Sequence, residues 1–312
     1  MMVTDIAAYL LFLSGSAVVC FALYALMLKT RNGQSGGQAV LQSAIALGMS
    51  VVLGLVGAKL LYFIFRFTYI LRLGIGSYFF SLKADELSYY GGMAGVCFGV
   101  FLSAGILGRK PVQALNAFAF PGALLAAMAR FAEYWLGSLG TGDYLDDPLP
   151  FPLAVSEVWN PDFPEYYLAI FMLEGIVYLR VALFAWQNRE DRLCFVRTVF
   201  YLCLSQIICE SMRAQSIRWL FVRYEQLLCY LVCEGILIAY AVRGKKQHSG
   251  NWQAAVFGLV VCGLTVLEEF MLDGKISVGE YGLPPVVIYG CMAWGLLELA
   301  ACEHKARRRL KL

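Results

Sequence analysis

An all-α, polytopic membrane protein is the fold this sequence predicts, and three observations predict it. Of 312 residues, 60% are hydrophobic and only 15% charged, against roughly 45–50% and 25% in soluble domains. A soluble core cannot hide that much apolar surface, so the excess must face lipid. Apolar runs long enough to span, about 20 residues each, recur nine times. The Lys and Arg residues between those runs alternate in number from one connection to the next. Intrinsic disorder, a secreted disulfide scaffold and a nucleic-acid partner are excluded by this composition, and a net charge of +3 is too small to argue otherwise.

The nine spans fall at about 6–28, 40–65, 91–108, 112–136, 165–186, 194–212, 224–242, 253–271 and 284–302. The first reads as a span rather than a cleaved signal peptide, since its earliest basic residue is Lys29. One alternating set of connections, from Lys29 and Arg31 to the tail Lys305–Lys311, carries fifteen basic residues. The other set carries seven, among them Arg66, Arg213 and Lys275. Positive charge marks the cytoplasmic side, so the N-terminus is expected outside and the C-terminus inside. Residues 66–90, aromatic and only briefly apolar, read as an interfacial segment at headgroup level. Residues 137–163 form a long outer connection with Asp143, Asp146, Asp147, Glu157 and Asp162 and no Lys or Arg; a connection of that length is a lid, a binding loop or disordered. The polar stretch from Arg243 to Trp252 separates a seven-span domain, 1–242, from a two-span extension with a basic tail, 243–312.

Metal chemistry finds little support. The ten cysteines lie in or beside apolar runs, and Cys229 and Cys233, at i, i+4, have no third ligand nearby in sequence, so packing explains them. The two histidines, His248 and His304, sit in polar basic segments. Ionisable groups at membrane depth are more informative, because they are costly there. Lys59 lies inside span two, Glu174 near the middle of span five and Glu234 near the middle of span seven. Each has a plain reading as a helix-to-helix neutralising partner. Nearer the outer face, Arg130 and Glu133 close span four and Glu210 and Arg213 close span six, both at i, i+3. Arg130, Arg213, Arg218 and Arg223 outnumber Glu133 and Glu210 by four to two. That surplus asks for an anion, and guanidinium forks suit phosphate. A phospholipid headgroup is the obvious occupant. Arg130, at the end of its span, is expected close to water, so that variants there still insert and fold.

Six stretches in order carry a family resemblance: GLVGAKLLYFIF (54–65), SYYGGMAG (88–95), ARFAEYWLG (129–137), FMLEGIVYL (171–179), CESMRAQ (209–215) and YEQLLCYLV (224–232). Together they resemble the bacterial prolipoprotein diacylglyceryl transferases over residues 6–242. The resemblance implies a seven-helix bundle in the bacterial cytoplasmic (inner) membrane, to which the last two helices are an addition. It implies transfer of the diacylglyceryl group of phosphatidylglycerol to the thiol of a lipobox cysteine in a preprolipoprotein signal peptide. A thioether forms and glycerol phosphate leaves on the outer side. No metal or cofactor is implied.

Position by position, Gly91 and Gly92 match the family's His-Gly-Gly, with Tyr90 in the histidine position. Arg130 matches the arginine of Arg-x-Gly-Asn, with Ala132 and Glu133 where Gly and Asn are expected. Lys59 replaces an arginine; Glu174, Gly175, Glu210, Arg213 and Gln226 match; Gln206 stands where an arginine is expected. Pro164 is what remains of a His-Pro stretch, and Tyr9 and Tyr24 both fit the family's first-span tyrosine. The resemblance therefore implies Tyr90, Arg130 and Glu210 as catalytic residues. Arg130, Arg213, Gly91, Gly92, Gln226 and Glu133 are implied around the lipid phosphate and headgroup. A homologue that binds lipid or signal peptide without activating a thiol is the alternative, because a tyrosine is a poor base at neutral pH. A transporter running through Lys59, Glu174 and Glu234 would call for internal repeats, and the sequence has none.

Overall fold

The structure is a computed structural model that describes residues 5–309 except 82, 148, 161–162, 215, 220–221, 247–251 and 277–281. Asp162, His248 and Lys311, named above, lie outside the described residues. Among those described, nine helices are long and apolar enough to cross a membrane. They are α1 (Ile6–Asn32), α2 (Gly36–Phe65), α5 (Tyr89–Ile106), α6 (Pro111–Ala132, running on to Gly137 through a single-turn helix), α7 (Ile170–Gln187), α8 (Cys194–Ser211), α9 (Tyr224–Lys246), α10 (Gln253–Leu272) and α11 (Pro285–Arg309). The expected all-α polytopic fold is therefore the observed one. Two short helices, α3 (Phe67–Leu73) and α4 (Ile75–Phe80), occupy the segment between α2 and α5. They expose Phe67, Tyr69, Leu71, Phe79 and Phe80, as a segment resting in the headgroup layer does.

The helix ends follow from local chemistry. The Asp5 carboxylate accepts from Ala8 N to open α1, and Gly33, at φ +65°, closes it in the left-handed conformation that glycine adopts without strain. Pro111 opens α6, where its missing N–H costs nothing. Pro121 lies buried inside the same helix, as membrane helices allow.

One expectation is corrected here. Residues 165–168 do not begin the fifth span, because they form a strand, and α7 starts only at Ile170. Glu174 is therefore on the second turn of α7 rather than at its middle. The long outer connection folds as an antiparallel sheet in the order β1 (Tyr144–Leu145), β3 (Phe163–Leu168), β2 (Ala154–Asn160). Hydrophobicity alone could not tell the Tyr166–Tyr167–Leu168 run from the start of a helix. Val155 and Tyr167 are registered across the sheet and pack with Ala169, Phe171 and Tyr134, anchoring the sheet at the adjoining ends of α6 and α7. A second, two-stranded pairing joins β4 (Arg218–Trp219) to β5 (Val222–Arg223) between α8 and α9.

The chain forms two compact units, residues 1–198 and 199–312, taken in turn. In the first, the core packs Phe21, Tyr24, Phe118 and Val100 among small residues of α2, α5 and α6. Helices α2 and α5 approach along glycines: a Cβ on Gly91 would strike the Gly57 carbonyl, and one on Gly95 the Leu53 carbonyl. Small residues let membrane helices touch backbone to backbone, and here they fix the start of α5, where Ser88 N donates to Ala58 O at 3.1 Å. In the second unit, α10 and α11 pack on each other and on α9, with Leu237, Val261, Met292 and Leu299 buried.

Candidate functional site

In the first unit the charged residues converge on Arg130. Its side chain is 1% exposed, at the C-terminal end of α6. Nη1 donates to Glu133 Oε1 at 2.5 Å, three residues on, where α6 gives way to a tighter turn. Nε lies 2.9 Å from Glu174 Oε2, close enough to pair ionically without meeting hydrogen-bond geometry. Nη2 is buried and has no hydrogen-bond partner among the described residues. The guanidinium carbon stacks 3.6 Å from the centre of the Tyr89 ring, with the Tyr90 and Tyr178 rings at 5.9 and 6.0 Å. The Tyr90 and Tyr178 hydroxyls are 3.3 Å apart, and Tyr89 donates to Ala126 O.

Each partner is delivered by a local feature. Ser88 caps α5 by accepting from Gly91 N, so Tyr89 and Tyr90 occupy its first turn. Glu174 and Tyr178 share a face of α7 at i, i+4. That face meets α6 because Gly175 has no side chain: a Cβ there would strike the Phe131 ring. Tyr9, on α1, lies within electrostatic range of Glu133 and Arg130, whereas Tyr24 is buried in the helical core and accepts from Gln42 at 3.2 Å. Of the two candidate first-span tyrosines, Tyr9 is thus the one beside the arginine.

Two sequence expectations fail here. Arg130 is not near water, and removing it would strand two buried carboxylates. Nor do the arginines outnumber their acids. Glu174 joins Glu133 on Arg130, while in the second unit Asp273 takes Arg218 at 2.9 Å and Glu269 takes Arg223 at 3.4 Å. Those two acids lie in the C-terminal extension, and the earlier count left them out. Sequence reasoning also missed Tyr89 and Tyr178. The i, i+4 spacing from Glu174 was a signal for the second; Tyr89 has only its adjacency to Tyr90.

Gly91 and Gly92 lie on the α2–α5 contact, Gly91 against Gly57 and Gly92 beside Ala58 and Gly54. Lys59 is buried and paired with Glu86 at 3.2 Å; it also donates to Tyr78 O and sits 4.3 Å from that ring centre. Ser81 donates to the same Glu86 carboxylate at 2.6 Å, and Tyr78 donates to Lys59 O at 2.8 Å. Lys59 therefore anchors the α3–α4 arm. Burial works to raise the Glu86 carboxyl, but the Ser81 and Lys59 hydrogen bonds and the Lys59 and Lys83 charges outweigh it and hold the group below its ordinary range. Burial, with Tyr62 and Glu86 close by, pushes the Tyr78 phenol up to about 12.

In the second unit, Glu210 closes α8, buried, accepting from Gln206 Nε2 at 3.1 Å and lying 3.9 Å from Arg213 Nε. Gln226, on the first turn of α9, donates from Nε2 toward Ile207 O, Ser211 Oγ and Glu269 Oε1, each at 3.0 Å. Arg223 Nη1 donates to Glu210 O and Arg213 O at 2.7 Å, covering carbonyls that the end of α8 leaves open. Glu234, on α9, keeps one buried carboxyl oxygen without a partner among the described residues.

Against known proteins, the family model described as prolipoprotein diacylglyceryl transferase matches residues 2–242. No curated protein and no solved structure matches the chain.

Proposed function

This chain belongs to the prolipoprotein diacylglyceryl transferase family, and we propose that it moves the diacylglyceryl group of phosphatidylglycerol to the thiol of a lipobox cysteine in a preprolipoprotein. The observation that carries this reading is the buried Nη2 of Arg130, which lacks an acceptor among the described residues. A buried unsatisfied donor costs about 1–3 kcal/mol, more when charged. An anionic phosphate oxygen would remove that cost. Glu133 and Glu174 hold the Nη1 and Nε positions, so the fork is oriented before any ligand arrives.

The chemistry is a displacement. The cysteine sulfur forms a bond to the glyceryl carbon, the carbon–oxygen bond to phosphate breaks, and glycerol phosphate leaves with the electron pair. Arg130 is assigned the developing phosphate charge. The thiol must give up a proton, and one guanidinium facing two carboxylates leaves a cluster able to receive it. Tyr90, hydrogen-bonded to Tyr178, is assigned to orient the acceptor or headgroup through its hydroxyl. Gly91 and Gly92, by holding α5 against α2, keep Tyr90 in position. Glu210, Arg213 and Gln226 are included because they stand at matching family positions. The protein is read as a multi-pass protein of the bacterial cytoplasmic membrane with its N-terminus outside, as domain 1–242 plus the extension 243–312.

A specific observation favours the second reading, a lipid- or signal-peptide-binding homologue without thiol activation: Arg130 already faces two carboxylates, and Tyr90 stands in the histidine position. Complementation separates the two. In a bacterium depleted of its own transferase, this chain should restore diacylglyceryl thioether on lipoproteins, read by mass spectrometry. Lipoproteins left unmodified, with the chain present in the membrane, would favour the binding homologue.

A further inference from the structure

The second unit contains a carboxylate that the family match does not account for. Helix α10 lies beyond residue 242, where the match ends, yet a polar stripe runs along it to its C-cap, buried at Thr265 and Glu269 and half-buried at Asp273. Thr265, Glu269 and Asp273 recur at i, i+4 and i+8 and so share a helix face. Each finds its partner in residues 211–230. Thr265 Oγ1 lies 2.5 Å from the Tyr230 hydroxyl. Asp273 pairs with Arg218 at 2.9 Å; burial works to raise its carboxyl, but Lys275 and Arg218 outweigh it and hold the group below its ordinary range. Glu269, between them and 5% exposed, accepts three donors. Ser211 Oγ and Gln226 Nε2 bond to Oε1, and Arg223 Nε approaches Oε2 at 3.4 Å.

Those three donors come from different pieces of chain: the end of α8, β5 and the first turn of α9. Arg223 in turn bonds to the carbonyls of Glu210 and Arg213. Glu269 thus reaches Gln226 directly and, through Arg223, the backbone that carries Glu210 and Arg213. A buried carboxylate with this many donors is well satisfied and directional. Replacing it would let three side chains settle elsewhere.

We propose that Glu269, supplied by the C-terminal extension, is a positioning residue for the transferase site of this chain, aligning Gln226 and the Glu210–Arg213 turn. The proposal rests on the transferase reading above. It gives the extension a role in the chemistry, with no contact to substrate required.

The test uses the full-length protein in detergent with phosphatidylglycerol and a lipobox peptide, comparing wild type, Glu269→Gln, Glu269→Asp and Thr265→Val. Glu269→Gln keeps the shape but loses the charge and one acceptor. Its kcat should fall on the order of tenfold or more, the scale of a small misplacement of a working group. KM for phosphatidylglycerol should rise as kcat falls, since Gln226 and Arg213 are the residues assigned around the headgroup that Glu269 aligns. Glu269→Asp should recover much of the loss, and Thr265→Val, which removes another bond of the same stripe, should stay close to wild type. If wild type transfers lipid and Glu269→Gln matches its kcat, the positioning role is overturned and the transferase reading stands. Where Glu269→Gln fails to fold, Glu269→Asp decides. A kcat lowered beyond what an equal loss of thermal stability brings in Thr265→Val supports the role; a kcat that tracks thermal stability alone in both variants makes Glu269 purely structural and overturns it. A wild type that transfers nothing overturns the transferase reading, and the positioning role with it.

Discussion

Arg130 Nε lies 2.9 Å from Glu174 Oε2, both side chains all but removed from solvent. With Glu133 on the other side of the guanidinium, the three groups carry one negative charge in excess. Arg130→Ala would leave two carboxylates buried without a cation, a loss of about 3–5 kcal/mol by comparison with other broken buried pairs. Arg130→Lys keeps the charge but gathers its three donors on one nitrogen, without the planar fork that spreads over Glu133, Glu174 and a phosphate, so it should lose transfer activity nearly as fully while keeping more stability. Adding Glu174→Gln to Arg130→Ala should recover part of the stability. Thermal unfolding of the purified variants measures this; no recovery would mean that the pair contributes nothing.

Gly175→Ala tests the same pairing through the backbone. The new methyl would strike the Phe131 ring, forcing α7 away from α6 or Phe131 from its rotamer, at about 1–3 kcal/mol. The same displacement should weaken the Arg130–Glu174 contact and lower transfer activity. Full stability together with full activity would show that the ring moves aside freely.

Tyr90→Phe keeps the ring beside Arg130 and removes the hydroxyl that meets Tyr178. A marked loss of kcat is expected in the transfer assay; unchanged kcat would remove Tyr90 from the chemistry. Tyr90→His restores the residue type implied at this position by the family resemblance, and should raise the rate near neutral pH.

Acid should loosen the α3–α4 arm. Glu86 is held below its ordinary value, so its contribution to folding is fully present above an ordinary carboxylate pKa, about 4.3. It is lost as pH falls through the lowered folded value. Pepsin cleavage within residues 66–87 should therefore rise in wild type as pH drops below that range. Glu86→Gln should be cut readily throughout, with a flatter dependence on pH. Parallel profiles would dismiss the Lys59–Glu86 pair as the anchor.

The proposed orientation puts residue 146 outside and residue 190 inside. Single cysteines introduced at Asp146 and Glu190, read against wild-type labelling, should react with an impermeant reagent from opposite sides. Labelling of both from one side would refute the nine-span arrangement.

What the sequence determined by itself is the crossing pattern. Spanning lipid is a local property of length and apolarity, so seven of the nine spans were legible to within a few residues at each end. Among those seven, span three begins two residues earlier than expected and span two four; the ninth helix runs on to Arg309, past its expected end at 302, and the fifth failed only where a strand of tyrosines adjoined a helix. Arg130 with Glu133 was legible for the same reason, being one turn apart. Gly91 and Gly57, by contrast, needed the α2–α5 packing to reveal what they do, although glycines four apart from Gly91 to Gly99 were a readable hint of close helices. Only the tertiary structure decided the charge partners. Arg130 meets Glu174, Lys59 meets Glu86, and Arg223 meets Glu269 across long stretches of chain. Counting charges along a membrane face treats every arginine as waiting for a ligand. Packing instead brings in distant carboxylates, because a charge at membrane depth must be neutralised by whatever helix lies against it.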